Sequence, residues 1–414
     1  MIRQLKCTDS AIVLPLVVAA LLLASEPIVA ADPYQGLHSF NGLDGDFPVG
    51  QLLPVGSELW GTTISGGGNG VKGVLFSINP DGSNYQIRHG FTGSGGESVR
   101  PSQGVVQIGS RVFGMTAGEL SPAFIPATLY SINTEGSDYQ TIHTFPTFGD
   151  YLPVAVTSVG SRLFGVETLD SASASKVFSI NADGSDFQYV HTLDPSTEGK
   201  TTVGRMLALG TTLYGTTRSG GAENSGTIFS MNSDGSDFQV LHAFPNSPTY
   251  GNPWGGLTLV GSTLYGTTVG NGLNDGSVFS MSLDGSNFQT IHTFDGITSG
   301  WPIGELIASN STLYGTTFHG NGLSGSVFSI GIDGANFKVL SNMAAPTSPR
   351  EPASALTLLG STLYGTTTGF SSNNSLPDRF GTVFAVAVPE PSAFVLGLTA
   401  AGLLAAGRFV RRKR

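Results

Sequence analysis

The chain has 414 residues, only 12% of them charged, with 58 glycines and a single cysteine, Cys7. Glycine is about twice as frequent as usual, strand formers are plentiful and no long amphipathic helical pattern crosses the middle of the chain, so an all-β protein with many tight turns is expected. Setting aside the 7 basic and 2 acidic residues of the terminal segments leaves 12 basic and 27 acidic residues between 32 and 391, net −15, a charge that excludes nucleic acid and anionic lipid as partners of the central region.

At the N-terminus, Arg3 and Lys6 precede an apolar run from Ala11 to Ala24. Val29-Ala30-Ala31 then offers small or modest side chains where a signal peptidase reads. Residues 1–31 are therefore expected to be a secretory signal helix, removed by signal peptidase before Asp32. The apolar run is short for a permanent anchor. Its removal takes Cys7 with it, so the exported protein has no disulfide and must rely on its core and backbone pairing.

From residue 34 onward one motif dominates. Leu213-Tyr214-Gly215-Thr216-Thr217 recurs, near-identical, with its aromatic at Trp60, Phe113, Phe164, Tyr214, Tyr265, Tyr314 and Tyr364, at gaps of 53, 51, 50, 51, 49 and 50 residues. A fixed period near 50 residues marks an array of one supersecondary unit. The unit from Pro253 to Phe294 shows its content: Leu257 to Val260, Thr263 to Thr268, Ser277 to Leu283 and Asn287 to Phe294 are four short strands, here called a to d.

Turn residues support the division. Gly stands in the a–b turn at 56, 109, 160, 210, 261 and 360, with Asn310 in the remaining unit, which implies a backbone with positive φ. The c–d turn is Asp-Gly at 81, 183, 234, 284 and 333 and Glu135-Gly136 in the second unit, a strong hairpin signal. Pro48, Pro101, Pro253, Pro302 and Pro352 each suit the first residue of strand a. Gly215, Gly266, Gly315 and Gly365, inside strand b, are expected to mark close approach of another backbone. Phe229, Phe279, Phe328 and Phe384 in strand c should fill the space between neighbouring sheets.

Four-stranded units stacked around an axis make a β-propeller. Strand d has the form of Phe238-Gln239…His242…Phe244 and follows the first six units, degenerate in the sixth, where Ser341 replaces the histidine. The seventh unit has strand c, Thr382 to Val388, and then runs directly into Pro389. The missing strand lies at the other end, Tyr34 to Phe40. The expectation is a seven-bladed β-propeller over residues 32–388, its last blade closed by the N-terminal strand, which leaves no open sheet edge at the join.

The C-terminal segment 389–414 reads Pro389-Glu390-Pro391, then apolar residues to Gly407, then a basic tail of Arg408, Arg411, Arg412, Lys413 and Arg414. This resembles the PEP-CTERM sorting signal of Gram-negative bacteria with extracellular polysaccharide systems. The resemblance implies processing by an exosortase-type enzyme and a transient anchor by a hydrophobic transmembrane helix, its basic end held in the cytoplasm. Leu-Tyr-Gly-Thr-Thr followed by Gly-rich residues and Val-Phe-Ser-Ile resembles the GloVer tandem repeat, a family of secreted bacterial proteins with various surface anchors. That likeness covers roughly residues 34 to 388 and departs most at Phe113-Gly114-Met115-Thr116 and Phe164-Gly165-Val166-Glu167. It implies a fold and a cell-surface setting but no activity.

Candidate chemistry is sparse. Six histidines, His38, His89, His143, His191, His242 and His292, fall one per strand d and cannot converge on a metal; His319 lies alone in a b–c loop. The Asp-Gly-Ser turns suggest calcium, yet they lack the Glu that completes a calcium loop, so no metal and no cofactor is implied. Binding sites of propellers lie at one mouth of the ring, where Tyr250, Trp254 and Trp301 in the variable d–a loops are candidate ligand-contact aromatics. The favoured function is a monomeric, exported, non-enzymatic binding or structural module at the cell surface, with exopolysaccharide as the partner. Membrane contact is confined to the terminal segments. The alternative is an extracellular polysaccharide lyase or glycosidase, for which Glu167, Asp170, Glu198 and Asp295 are the carboxylates to locate; a third reading is a surface protein with no ligand.

Overall fold

The computed structural model describes residues 33–119, 124–145, 155–168, 174–247, 251–270, 276–296, 299–318, 325–343, 351–352, 354–369 and 380–388. The expected signal (1–31) and the expected sorting segment (389–414) lie outside these residues. Among the described residues no helix is long and apolar enough to cross a membrane. They form 28 strands in seven four-stranded antiparallel sheets, a seven-bladed β-propeller.

The fifth blade shows how the repeat builds a sheet. Its strands are Thr258–Val260, Thr263–Thr268, Ser277–Ser282 and Gln289–Thr293, in that order across the sheet. The a–b turn glycines Gly56, Gly109, Gly160, Gly210, Gly261 and Gly360 have φ of 59–62°, and Asn310 has φ of 54°. No atom lies within 4 Å of where a Cβ would sit at those six glycines. Backbone conformation alone therefore selects Gly or Asn there.

The closing blade has the predicted composition. Tyr34–Ser39 pairs antiparallel with Thr382–Ala387, with Tyr34 opposite Val386, Gln35 opposite Ala385, Gly36 opposite Phe384, His38 opposite Val383 and Ser39 opposite Thr382. The sheet order runs from that N-terminal strand through Thr382–Ala387 and Thr362–Thr367 to Thr357–Leu359. Phe40, just past the closing strand, is 1% exposed and sits in the core shared with the first blade, among Leu52, Phe76, Tyr364 and Val383.

Seven such cores exist, one between each pair of neighbouring blades. Phe229 illustrates the packing: it belongs to the fourth blade and packs with Phe164, Val166 and Val177 of the third. The strand-c phenylalanines thus fill the spaces between sheets, as expected.

Two local expectations are corrected. Gly215 sits directly opposite Phe229 in the ladder, and a Cβ at 215 would lie 2.3 Å from the Phe229 Cζ. The strand-b glycine therefore makes room for the aromatic ring of its own blade rather than for another backbone. The c–d connection is also longer than a tight hairpin: in the first blade it runs from Ile78 to Gln86. Its Asp81 Oδ1 accepts from Ser83 N at 2.9 Å and Ser83 Oγ at 2.6 Å, an Asx turn repeated at Asp183, Asp234 and Asp284. The turn presses on the preceding blade: a Cβ at Gly235 would meet the Val190 carbonyl at 2.0 Å.

Hydroxyls and histidines sew the blades together. The first Thr of the core motif donates to the next blade's strand a, Thr62 to the Gln103 carbonyl (2.8 Å) and Thr216 to the Gly255 carbonyl (3.0 Å). Thr357 donates likewise across the closing interface, to the Leu52 carbonyl. Each strand-d histidine stacks face to face on the aromatic that starts strand d of the following blade: His38 on Tyr85, His89 on Tyr139, His143 on Phe187, His191 on Phe238, His242 on Phe288 and His292 on Phe337, at centroid distances of 3.7–4.2 Å. Their spread and their shared structural duty follow from one position per blade. In the sixth blade Ser341 occupies this position, paired with Val327 as His292 is with Val278.

Candidate functional site

Strand a of each blade approaches the axis, and the register of the repeat decides what faces it. Counting nine residues back from the core aromatic gives Gln51, Gly104, Ala155, Arg205, Gly256, Glu305 and Ala355. All seven line one axial cavity of about 440 Å³. The next position toward the core, Leu52 or Leu306 for example, is buried between blades. The alternation of a strand thus sends one residue into the core and its neighbour into the bore. Four of the seven bore positions hold Gly or Ala, which keeps their side chains out of the bore; three hold long polar side chains.

Those three meet. Arg205 Nη2 donates to Gln51 Oε1 at 3.0 Å and lies 3.8 Å from Glu305 Oε1. Gln51 Nε2 donates to the Leu356 carbonyl at 2.8 Å. The contacts span the first, fourth, sixth and seventh blades, so the network crosses the bore. Gly256 is what admits the Glu305 carboxylate, since a Cβ there would lie 2.7 Å from Glu305 Oε2. The Glu305 side chain is 19% exposed, yet the surrounding chain is dense. Lost hydration raises its pKa above the usual carboxylate range, against the opposing pull of Arg205.

The cavity opens where the d–a and b–c loops lie. Its rim includes Arg218 and Phe318, each four residues past the core aromatic, and Trp254. The Arg218 guanidinium lies over the Trp254 ring, 3.9 Å from its centroid, a cation–π contact. The residue before each strand-a proline is left-handed, with φ of 60° at Phe47, 59° at Arg100, 50° at Asn252, 55° at Trp301 and 63° at Glu351. Its carbonyl is tied to the far end of strand b: Arg100 accepts from Ala117 N at 3.0 Å and Trp301 from Phe318 N at 2.9 Å. The sequence signalled a strand start at these prolines but not this bent brace.

Of the aromatics expected to contact a ligand, Trp254 lines the cavity. Trp301 stacks on Phe318 at 6.4 Å, one layer behind the lining. Tyr250 lies outside the described residues. Of the carboxylates proposed for the enzymatic alternative, the three that are described each have partners of their own. Glu167 is buried and accepts from the Tyr189 hydroxyl; Glu198 accepts from His191 Nε2 and Asp194 N; Asp295 accepts from Ser299 N. None of these three lines the cavity, and Asp170 lies outside the described residues, as do His319, the Pro389-Glu390-Pro391 motif and the basic tail. Among the described residues no three His, Cys, Asp or Glu side chains gather as metal ligands.

The polar trio Gln51, Arg205 and Glu305 went unnoticed in the sequence. The signal was available: within a repeat that holds its other positions nearly constant, the ninth residue before the aromatic changes from Gly to Arg to Glu.

Comparison with known structures returns the same architecture. An oligogalacturonate lyase in complex with manganese superposes with a TM-score of 0.54 at 9% identity, over 86% of this chain and 93% of that one. The oligogalacturonate lyase from Vibrio parahaemolyticus gives 0.52 at 12% identity, over 86% and 94%. At such identities the likeness is one of fold. No curated protein matches the sequence. The model of the Gloeobacter/Verrucomicrobia repeat matches residues 171–384, just over half of the chain. The match spans more than half of the chain, and the chain belongs to the Gloeobacter/Verrucomicrobia repeat family.

Proposed function

We propose that the protein is an exported, surface-associated propeller that binds a glycan at its axial mouth and does not transform it. The observation that carries this reading is the axial cavity itself. It is built from all seven blades, has the volume of a small-ligand site, and combines an indole at its rim with three polar side chains that meet inside. Small-ligand pockets are concave, about 300–1,000 Å³, with a few convergent polar groups. Aromatic faces and polar forks suit the C–H faces and hydroxyls of sugars.

Glycoside cleavage by paired carboxylates needs two within about 10 Å. Glu305 is the one carboxylate among the described residues lining the cavity, and its near neighbour is Arg205. That arrangement favours binding over hydrolysis. Export rests on the N-terminal segment, through signal peptidase, and surface retention on Pro389-Glu390-Pro391 and the basic tail, through an exosortase-type enzyme.

A glycan array probed with the purified protein and with Trp254→Ala tests the binding. Signal on a restricted glycan set, lost in the variant while the fold is kept, supports it; a blank array, or signal indifferent to Trp254, overturns it. Cell fractionation tests the setting, and a protein retained in the cytoplasm would remove it.

A further inference from the structure

We propose that the ligand of the axial mouth carries a carboxylate, so that the protein selects acidic, uronate-bearing glycans over neutral ones. This deepens the glycan-binding reading above and rests on it.

Charge distribution is the first ground. Between residues 32 and 391 acidic residues outnumber basic ones by 27 to 12. The described lining of the cavity reverses that balance, with Arg205 and Arg218 against Glu305 alone. An acidic protein repels anions over most of its surface. Two guanidinium groups among the described lining of the axial cavity set it apart from that acidic surface.

Geometry is the second ground. Both contacts of Arg205, to Gln51 at 3.0 Å and to Glu305 at 3.8 Å, use Nη2. A guanidinium has five N–H donors, so those of Nε and Nη1 remain for a further acceptor. The contact to Glu305 exceeds hydrogen-bonding distance. Glu305 thus orients the charge of Arg205 without saturating its donors. Gln51, fixed in turn on the Leu356 carbonyl, holds the group from the other side. Arg205 is in this way set in place before a ligand arrives, and a planar fork matches a carboxylate better than a lone hydroxyl. The Arg218 guanidinium carbon lies 3.9 Å from the Trp254 ring centroid, which keeps its charge at the rim of the cavity. The lining from the second and third blades, with Val105, Val106 and Ala155, is small and apolar and suits the C–H face of a sugar ring.

The test uses purified full-length protein and two probe sets in titration calorimetry: short glucuronate- or galacturonate-containing oligosaccharides, and the same oligosaccharides with their carboxyls reduced to alcohols. The acidic set should bind at least about tenfold more tightly, the worth of a charge-assisted hydrogen bond. Arg205→Gln and Arg218→Gln should each shrink that preference while keeping the binding of the reduced set, whereas Trp254→Ala, which removes the stacking face and also releases Arg218, should weaken both sets. Arg218→Gln keeps the test open if Arg205→Gln fails to fold. Equal binding of the two sets overturns the acidic selectivity and leaves glycan binding standing. A preference unchanged in both folded arginine variants overturns the assignment of these residues. Binding of neither set, with a blank array, overturns the selectivity and the glycan reading together.

Discussion

Deleting residues 33–40 should open the ring at its join. The deletion removes Phe40 from the core between the seventh and first blades, the ladder on Thr382–Ala387, and the His38–Tyr85 and Tyr34–Phe384 ring contacts. Losing a buried phenylalanine alone costs about 3–5 kcal/mol. Each ring contact adds about 0.5–1.5 kcal/mol. A total of about 5 kcal/mol is a large part of the roughly 5–15 kcal/mol by which ordinary domains are stable. Val383, Phe384 and Val386, now fully buried, would lie on an unpaired strand edge, which invites pairing between chains. Scanning calorimetry should show Tm lowered by about 7 °C, and light scattering should show association. A synthetic peptide of residues 33–41 added in trans should recover part of the lost Tm. A deletion variant that melts with the parent and stays monomeric would refute the reasoning.

Gly215→Ala places a methyl carbon 2.3 Å from the Phe229 ring, and the overpacking should cost about 1–3 kcal/mol, read as a lower denaturation midpoint without a change in m-value. Thr357→Val removes the hydroxyl bonded to the Leu52 carbonyl across the closing interface and should cost about 1–3 kcal/mol, whereas Thr→Val at an exposed site should be close to neutral. Burial lowers the pKa of His38, His143, His242 and His292, with Asp44, Glu167 and Asp295 partly offsetting it at the first, second and fourth. The unfolded chain then binds more protons than the folded one just below the ordinary histidine pKa of about 6.5. The histidine contribution is therefore present above that pH and is lost as pH falls through it toward the folded values. Thermal melts from pH 7.5 to 5 should show a falling Tm, and His242→Phe, which keeps a ring against Phe288, should flatten the decline; an unaltered slope would contradict it.

Most of the architecture was legible because each repeat states the same physical needs. The a–b turn needs positive φ, so Gly210 and its counterparts in five other units, with Asn310 in the remaining one, announce it. The count of strand-d segments placed the seventh at Tyr34 to Phe40, since a sheet cannot leave Thr382–Ala387 unpaired without exposing an edge. The site was less legible. Gln51, Arg205 and Glu305 are each 100 residues or more apart in the chain, and only closure of the ring brings them together. Trp254 stood out by its rarity and does reach the cavity, whereas Trp301, equally rare, stacks behind it on Phe318. The difference lies in register: Trp254 falls eleven residues before its core aromatic and Trp301 thirteen, on the left-handed brace.

The bore position nine residues before each aromatic carries a consequence for how such proteins diversify. Its side chains lie outside the hydrophobic cores between blades, so exchanging one alters the lining of the bore while those cores keep their packing. Two of the seven places are closed to longer side chains: a Cβ at Gly104 would lie 3.0 Å from the Gln51 carbonyl and one at Gly256 2.8 Å from the Arg205 carbonyl, so the places open to exchange are those that already carry a side chain. Proteins built on this scaffold can therefore acquire new tastes by a handful of substitutions at the bore positions that have space, without rebuilding a core.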